Sequence, residues 1–133
     1  MRFPQLLVYE TDGRLAGLLR ELARERKWSL REPRRPEACC RLLRASGPSV
    51  LVLKLGRQLE AEMALLERVT TQFPETVSIV VGDTDSPPVT GLAWDLGARY
   101  VLVPLEPREH LLEIVAGFLT PRAGIKPSSK DAT

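Results

Sequence analysis

The sequence is poor in the residues that enzymes use most for nucleophilic and metal chemistry. It has one histidine, His110, and only two cysteines, which are adjacent at Cys39 and Cys40. A His/Cys metal site is therefore not expected, and neither is histidine-based catalysis unless His110 is the base. Two neighbouring cysteines cannot build a disulfide framework, which fits a reducing compartment. We expect them to be packing residues of a helix. We predict a protein that is not an enzyme, with no catalytic residue, metal or cofactor.

Long apolar runs are also missing. None approaches the roughly 20 residues of a membrane-spanning helix, and no export leader opens the chain. We therefore expect a cytoplasmic protein that does not enter a membrane. The 133 residues are 44% hydrophobic and 27% charged, which suits one globular domain. We assign residues 1–120 to that domain and the small, polar residues 121–133 to a flexible tail that is too short for an output domain.

Positive charge is concentrated in the first third of the chain. Residues 1–45 hold eleven Lys/Arg against six Asp/Glu, and nine of the eleven lie between Arg20 and Arg44. Glutamates are interleaved with these basic residues, and no DNA-reading motif accompanies them. The pattern favours a solvated face, and we do not expect a nucleic-acid partner. Binding to a phosphate backbone is the alternative, and it would make affinity fall steeply with salt.

Short apolar runs alternate with amphipathic stretches along the whole chain. The runs cover residues 5–9, 28–30, 50–55, 77–81 and 100–103, and the third and fourth are apolar on both faces. Helices are predicted between the runs and after the last, the first with Asp12 as its N-cap and the fourth from about Pro88 to Leu96. This alternation predicts a three-layer α/β fold, a doubly wound (βα)5 parallel five-stranded sheet of the flavodoxin-like type.

Three segments carry a resemblance to a known family. They read LLVYETD near the start, PSVLVLK in the middle and GARYVLVPLEP near the end, and the interval from Gly82 to Gly97 fits as well. In this order the chain resembles the receiver domain of bacterial two-component response regulators, over about residues 4–120. The resemblance implies the same parallel fold and a phosphorylation site at the carboxyl ends of the strands.

The positions that the resemblance assigns to phosphorylation have changed. The family has an acidic pair after strand one, a phosphoacceptor aspartate after strand three, a Ser/Thr after strand four and a lysine after strand five. The corresponding residues here form a degenerate phosphorylation site: Glu10, Thr11, Asp12, Lys54, Gly82 and Val103. The acidic pair is Glu10 and Thr11, or Thr11 and Asp12 if the alignment shifts by one residue. Because phosphoryl transfer needs a carboxylate nucleophile and a hard cation, we do not expect it here.

Lys54 replaces the phosphoacceptor and admits two interpretations. The favoured one is a structural ion pair with Glu10 or Asp12, since a lone buried ammonium is costly to desolvate. The alternative is a sensor in which Lys54 binds a small anionic ligand. A catalytic lysine lacks a supporting base in the sequence.

The resemblance also implies where a partner would bind. Relatives use the face formed by helix four, strand five and helix five, where the candidate residues are Trp94, Tyr100, Val101, Arg108 and Glu109. Trp94 is either a core anchor or an interface hot spot, and we favour the core. Tyr100 matches the family's switch aromatic or is a partly exposed strand tyrosine. We predict a cytoplasmic bacterial pseudo-receiver that binds protein partners, or a second copy of itself, in a phosphorelay without being phosphorylated.

Overall fold

Strands and helices alternate along the chain, as the sequence pattern predicts. The computed structural model describes residues 5–10, 13–46, 49–56, 58–82, 86–102 and 108–119, and at positions 46, 108 and 119 it describes the backbone alone. In chain order the elements are β1 (Gln5–Tyr9), α1 (Arg14–Arg26), β2 (Ser29–Arg31), α2 (Pro36–Ser46), β3 (Val50–Lys54), α3 (Leu59–Gln72), β4 (Val77–Val81), α4 (Pro87–Asp95), β5 (Tyr100–Leu102) and α5 (Arg108–Leu119). The predicted tail, residues 121–133, lies outside the described residues.

The five strands form one parallel sheet in the order β2-β1-β3-β4-β5. This is the flavodoxin-like order of a doubly wound fold, so the predicted fold class is confirmed. The bounds of β1 and β4 are those predicted, whereas β3 ends one residue before Leu55 and α4 begins one residue before Pro88.

Two helix layers cover the sheet, because side chains of successive strand residues point to opposite faces. Leu6 and Val8 of β1 face a core shared with α1 and α5. Leu7 and Tyr9 face the opposite core, which is built with α2, α3 and α4. Burial on both faces explains why β3 and β4 are apolar at nearly every position.

The two cysteines pack in the second of these cores, as predicted. Cys39 and Cys40 are buried free thiols on α2. Burial, reinforced by the neighbouring Cys40, raises the pKa of Cys39 to about 12. Since only the thiolate is a good nucleophile, Cys39 is chemically inert at neutral pH.

None of the helices within the described ranges is long and apolar enough to span a bilayer.

Candidate functional site at the carboxyl edge of the sheet

Three of the predicted site residues lie side by side at the carboxyl edge of the sheet. In the strand register Tyr9 is opposite Leu53, and Lys54 is opposite Val81. Glu10, Lys54 and Gly82 therefore lie at the carboxyl ends of adjacent strands at the same edge, where doubly wound folds bind ligands. The other three members of the predicted site, Thr11, Asp12 and Val103, lie outside the described residues.

Glu10 caps α1 from the end of β1. Its side chain is buried, and its carboxylate accepts hydrogen bonds from the backbone N–H of Leu15 at 2.9 Å and of Ala16 at 2.6 Å. The first N–H groups of a helix have no partner within it, and the helix dipole favours negative charge there. Glu10 thus accepts the hydrogen bonds that an N-cap side chain usually accepts.

The predicted N-cap at Asp12 is wrong. The residue before the helix is Gly13, which has a φ of 79° and makes no side-chain capping bond. The chain turns there in the left-handed region, which glycine adopts without strain. A glycine cannot cap through a side chain, and the carboxylate of Glu10 supplies what it lacks.

Lys54 ends β3 with a half-buried side chain. The ion pairs between described residues are Arg20–Glu32, Arg24–Glu21 and Arg34–Glu32, so the predicted pair of Lys54 with Glu10 is not formed. Both oxygens of Glu10 instead accept hydrogen bonds from the backbone of α1. The alternative pair, with Asp12, stays a prediction because Asp12 is not described.

Glu62 is a buried acid near this edge that was not predicted from the sequence. It is 2% exposed, and its Oε1 accepts a hydrogen bond from the backbone N–H of Gly56 at 2.7 Å. The bond ties the segment after β3 to the first turns of α3. Glu62 precedes Leu66 by four residues and Val69 by seven, so its position on the apolar stripe of α3 was the available signal.

Tyr9 lies near the same carboxylate. Burial raises the pKa of its hydroxyl, and negative charge on Glu62 and Glu37 raises it further. Tyr9 is therefore a neutral hydroxyl at physiological pH and not a proton acceptor.

The second predicted site, the face of α4, β5 and α5, exposes large apolar side chains. Trp94 is 48% exposed, Leu92 44% and Tyr100 40%. The prediction that Trp94 is a core residue is wrong. Ala93 is the buried residue of α4, and successive helix residues are rotated by about 100°, which turns Leu92 and Trp94 away from the sheet.

A groove runs beside Tyr100 between β5 and α5. It encloses about 380 Å³ and is lined by Tyr100, Glu113, Ile114, Gly117 and Phe118. The rings of Tyr100 and Phe118 meet edge to face at 5.9 Å between centroids, and the guanidinium of Arg99 lies 5.7 Å from the Phe118 ring. These aromatic contacts fix the groove wall.

The remaining candidates on this face differ in exposure. Glu109 is exposed in the first turn of α5. Val101 is partly buried and packs against the core of α2, α3 and α4, so most of its side chain is directed inward. Arg108 begins α5, and its side chain is outside the described residues.

Tryptophan fluorescence tests the position of Trp94. Trp28 is 7% exposed and Trp94 is 48% exposed, so acrylamide should quench Trp94 strongly and Trp28 weakly. A Trp94→Phe variant is expected to lose most of the quenchable emission, while its free energy of unfolding changes by less than about 0.5 kcal/mol. Unchanged quenching in this variant would return Trp94 to the core.

Known proteins resemble the chain in structure and not in sequence. No protein-family model matches it, and no curated protein matches it by sequence. A two-component response regulator from Clostridium difficile is 12% identical with a TM-score of 0.75, and the match covers 91% of this chain and 99% of the other. The signal receiver domain of a repressor protein from Vibrio parahaemolyticus is 19% identical with a TM-score of 0.73, covering 90% and 91%. A response regulator from Thermotoga maritima is 16% identical with a TM-score of 0.71, covering 91% and 100%. The chain thus has the fold of response regulator receiver domains, with a lysine at the carboxyl end of its central strand.

Proposed function

We propose that this chain is a non-catalytic pseudo-receiver that acts in a phosphorelay of the bacterial cytoplasm by binding protein partners, independently of phosphorylation. Lys54 carries the proposal. It ends the central strand β3 at the edge where this fold holds its chemistry. An ammonium group cannot replace the carboxylate that accepts the phosphoryl group, and it repels the divalent cation that phosphoryl transfer needs.

The use of Glu10 supports the same conclusion. Both of its oxygens accept from backbone N–H groups of α1, so binding a cation would compete with the capping of that helix. Among the described residues, no three His, Cys, Asp or Glu side chains converge as a metal site. Gly82, which follows β4, has no hydroxyl that could contact a phosphoryl group.

A two-dimensional NMR titration tests the loss of the phosphorylation switch. One of the similar solved structures is a BeF3-activated receiver domain, which makes beryllofluoride the appropriate probe. With Mg²⁺, and then with Mg²⁺ and beryllofluoride, we expect no saturable shifts at Glu10, Lys54 or Gly82. Fluoride without beryllium at equal ionic strength is the control. Saturable shifts at these amides would mean that the site still takes a phosphoryl analogue, and the proposal would be wrong.

The partner surface is proposed to be the face of α4, β5 and α5. Trp94 and Tyr100 supply exposed aromatic area there, and tryptophan and tyrosine are enriched among residues that dominate binding energy. The groove beside Tyr100 offers a concave surface for a partner side chain. Glu109 and Glu113 lie one helical turn apart along the exposed side of α5 and would favour a partner with basic residues.

Differential capture with matched variants tests this surface. Trp94→Ala removes an exposed aromatic residue from the face, and Leu59→Ala removes an exposed apolar residue from α3, away from it. A bound partner should be retained by the Leu59 variant and weakened by the Trp94 variant, with a loss of about 2 kcal/mol or some thirtyfold in affinity. Equal retention by both variants would remove Trp94 from the interface.

A further inference from the structure

Charge changes sign across the sheet. The segment 14–46, which contains α1, β2 and α2, holds ten Lys/Arg against four Glu, an excess of six positive charges. The segment 83–119, which contains α4, β5 and α5, holds six Asp/Glu against two Arg, an excess of four negative charges. Because β2 and β5 are the two edge strands, the described charges beside β2 and those beside β5 lie at opposite ends of the sheet, while α1 and α5 pack on the same core. The chain's net charge of +2 conceals this dipole.

We call the positive end, residues 14–46, the basic edge. It has more cations than its carboxylates pair with. Glu32 pairs with both Arg20 and Arg34, and Glu21 pairs with Arg24. Besides Arg26 and Arg44, which lie near the rings of Trp28 and Phe73, four further exposed cations form no ion pair with a described carboxylate: Lys27, Arg31, Arg35 and Arg41. All but one of these four are arginines, whose planar guanidinium binds carboxylates in a fork and stacks on aromatic rings. The basic edge therefore offers the groups that an acidic and aromatic surface would accept.

The opposite end offers that surface. Asp95, Glu109 and Glu113 are exposed acids on α4 and α5, and we call this end the acidic edge. Two exposed aromatic residues accompany these acids. Trp94 precedes Asp95 in α4, and Tyr100 of β5 lines the same groove as Glu113. An arginine that pairs with a carboxylate and also lies over an indole ring gains from both contacts.

We propose that copies of this chain associate head to tail, the basic edge of one copy against the acidic edge of the next. The occupant of each edge is a second copy because both complementary surfaces are present on the same chain. The four glutamates of the basic edge disfavour a uniform polyanion such as nucleic acid, since they would repel it, whereas a protein surface that includes Arg99 can accommodate mixed charge. Such a contact joins two different surfaces, so a pair of copies still has one basic edge and one acidic edge unoccupied and can bind further copies.

This association shares the acidic edge with the proposed partner face and has a different consequence. Head-to-tail contact would occupy the partner face with the basic edge of a neighbour, so a partner would have to displace that neighbour. A symmetric homodimer through α4, β5 and α5 would leave the basic edge exposed. The two arrangements can therefore be separated by testing each edge alone.

Sedimentation velocity of the full chain tests the proposal. At about 20 mM NaCl, where charges interact over roughly 20 Å, the weight-average mass should rise above that of the monomer and continue to rise with protein concentration. At about 0.5 M NaCl, where that range falls to roughly 4 Å, the chain should sediment as the 14.8 kDa monomer. Salt sensitivity in this direction is expected because the contact is mainly electrostatic.

Two variants and their mixture make the test specific. Arg31→Glu/Arg35→Glu disables the basic edge without touching an ion pair of the fold. Glu109→Lys/Glu113→Lys disables the acidic edge. Each variant alone should be monomeric at low salt, because it retains only one intact edge and no copy carries the complementary edge. Their equimolar mixture should form a dimer of twice the monomer mass and grow no further, since one intact basic edge meets one intact acidic edge.

The control is Glu60→Lys/Glu67→Lys, which changes the net charge as much as the acidic-edge variant does, on exposed positions of α3. It should still associate, and circular dichroism should show all variants folded. A wild-type chain that stays monomeric at low salt overturns the proposal. A basic-edge variant that still dimerises overturns it too and leaves the symmetric homodimer. A monomer that binds labelled duplex DNA with steep salt dependence would instead assign the basic edge to nucleic acid.

Discussion

Replacing Glu10 with alanine should lower the free energy of unfolding by about 3 kcal/mol, because two buried backbone N–H groups lose a charged acceptor. These are the N–H groups of Leu15 and Ala16, at 2.9 and 2.6 Å from the carboxylate oxygens. Loss of a negative charge at the start of α1 adds to the effect. Urea denaturation followed by circular dichroism measures the change.

Glutamine at this position separates the hydrogen bonds from the charge. Glu10→Gln keeps one carbonyl acceptor and has no charge, so we expect roughly half the loss of the alanine variant. Glu109→Ala, at an exposed acid in the first turn of α5, is the matched control and should change stability by less than about 1 kcal/mol. If alanine at position 10 costs no more than it does at 109, Glu10 does not hold α1. The support that its capping role gives to the pseudo-receiver would then fall.

The strands were predictable because both faces of the sheet are covered. A strand buried on both faces is apolar at nearly every position, and β1 and β4 have the predicted bounds for this reason. The amphipathic helices were predictable from their period, as in α1, where Leu15, Leu19 and Ala23 are buried.

The errors share a different cause. Trp94 lies on a short helix that is largely apolar, and nothing in its sequence shows that Val89 and Ala93, rather than Trp94, are directed toward the sheet. Glu10 lies five residues before Leu15 and six before Ala16, whose N–H groups donate to it, so rules that look for a cap at the residue next to the helix do not find it. Both require knowing how a helix sits on the sheet, which the local sequence does not specify.

Replacing Gly97 with alanine should lower the stability of the fold at the turn between α4 and β5, which lies in the proposed partner face. Gly97 has a φ of 107°, and a Cβ there would lie 2.9 Å from both Cβ and Cγ2 of Thr70. The positive φ costs about 1 kcal/mol for a residue with a side chain, and overpacking against α3 adds about 2 kcal/mol. We expect a loss of about 3 kcal/mol in urea denaturation.

Gly91→Ala is the matched control because its expected effect has the opposite sign. Gly91 lies within α4, has no positive φ, and a Cβ there would meet nothing within 4 Å. Alanine should stabilise the helix by about 0.5–1 kcal/mol relative to glycine. Combining Gly97→Ala with Thr70→Gly should recover the overpacking part and leave the backbone part, which a double-mutant cycle measures. Additive effects in that cycle would show that Thr70 is not the obstacle.

The turn at Gly97 also determines how α4 ends beside β5. The N–H of Gly97 donates to the carbonyl of Trp94 at 3.1 Å, and the N–H of Ala98 donates to that of Ala93 at 3.1 Å. The hydroxyl of Thr70 donates to the carbonyl of Leu96 at 2.7 Å, which ties the same turn to α3. Alanine at position 97 should therefore shift the fluorescence of Trp94 as well as lower stability, whereas Gly91→Ala should leave this turn unchanged. A loss of stability without a change at Trp94 would mean that the turn and the partner face are not coupled.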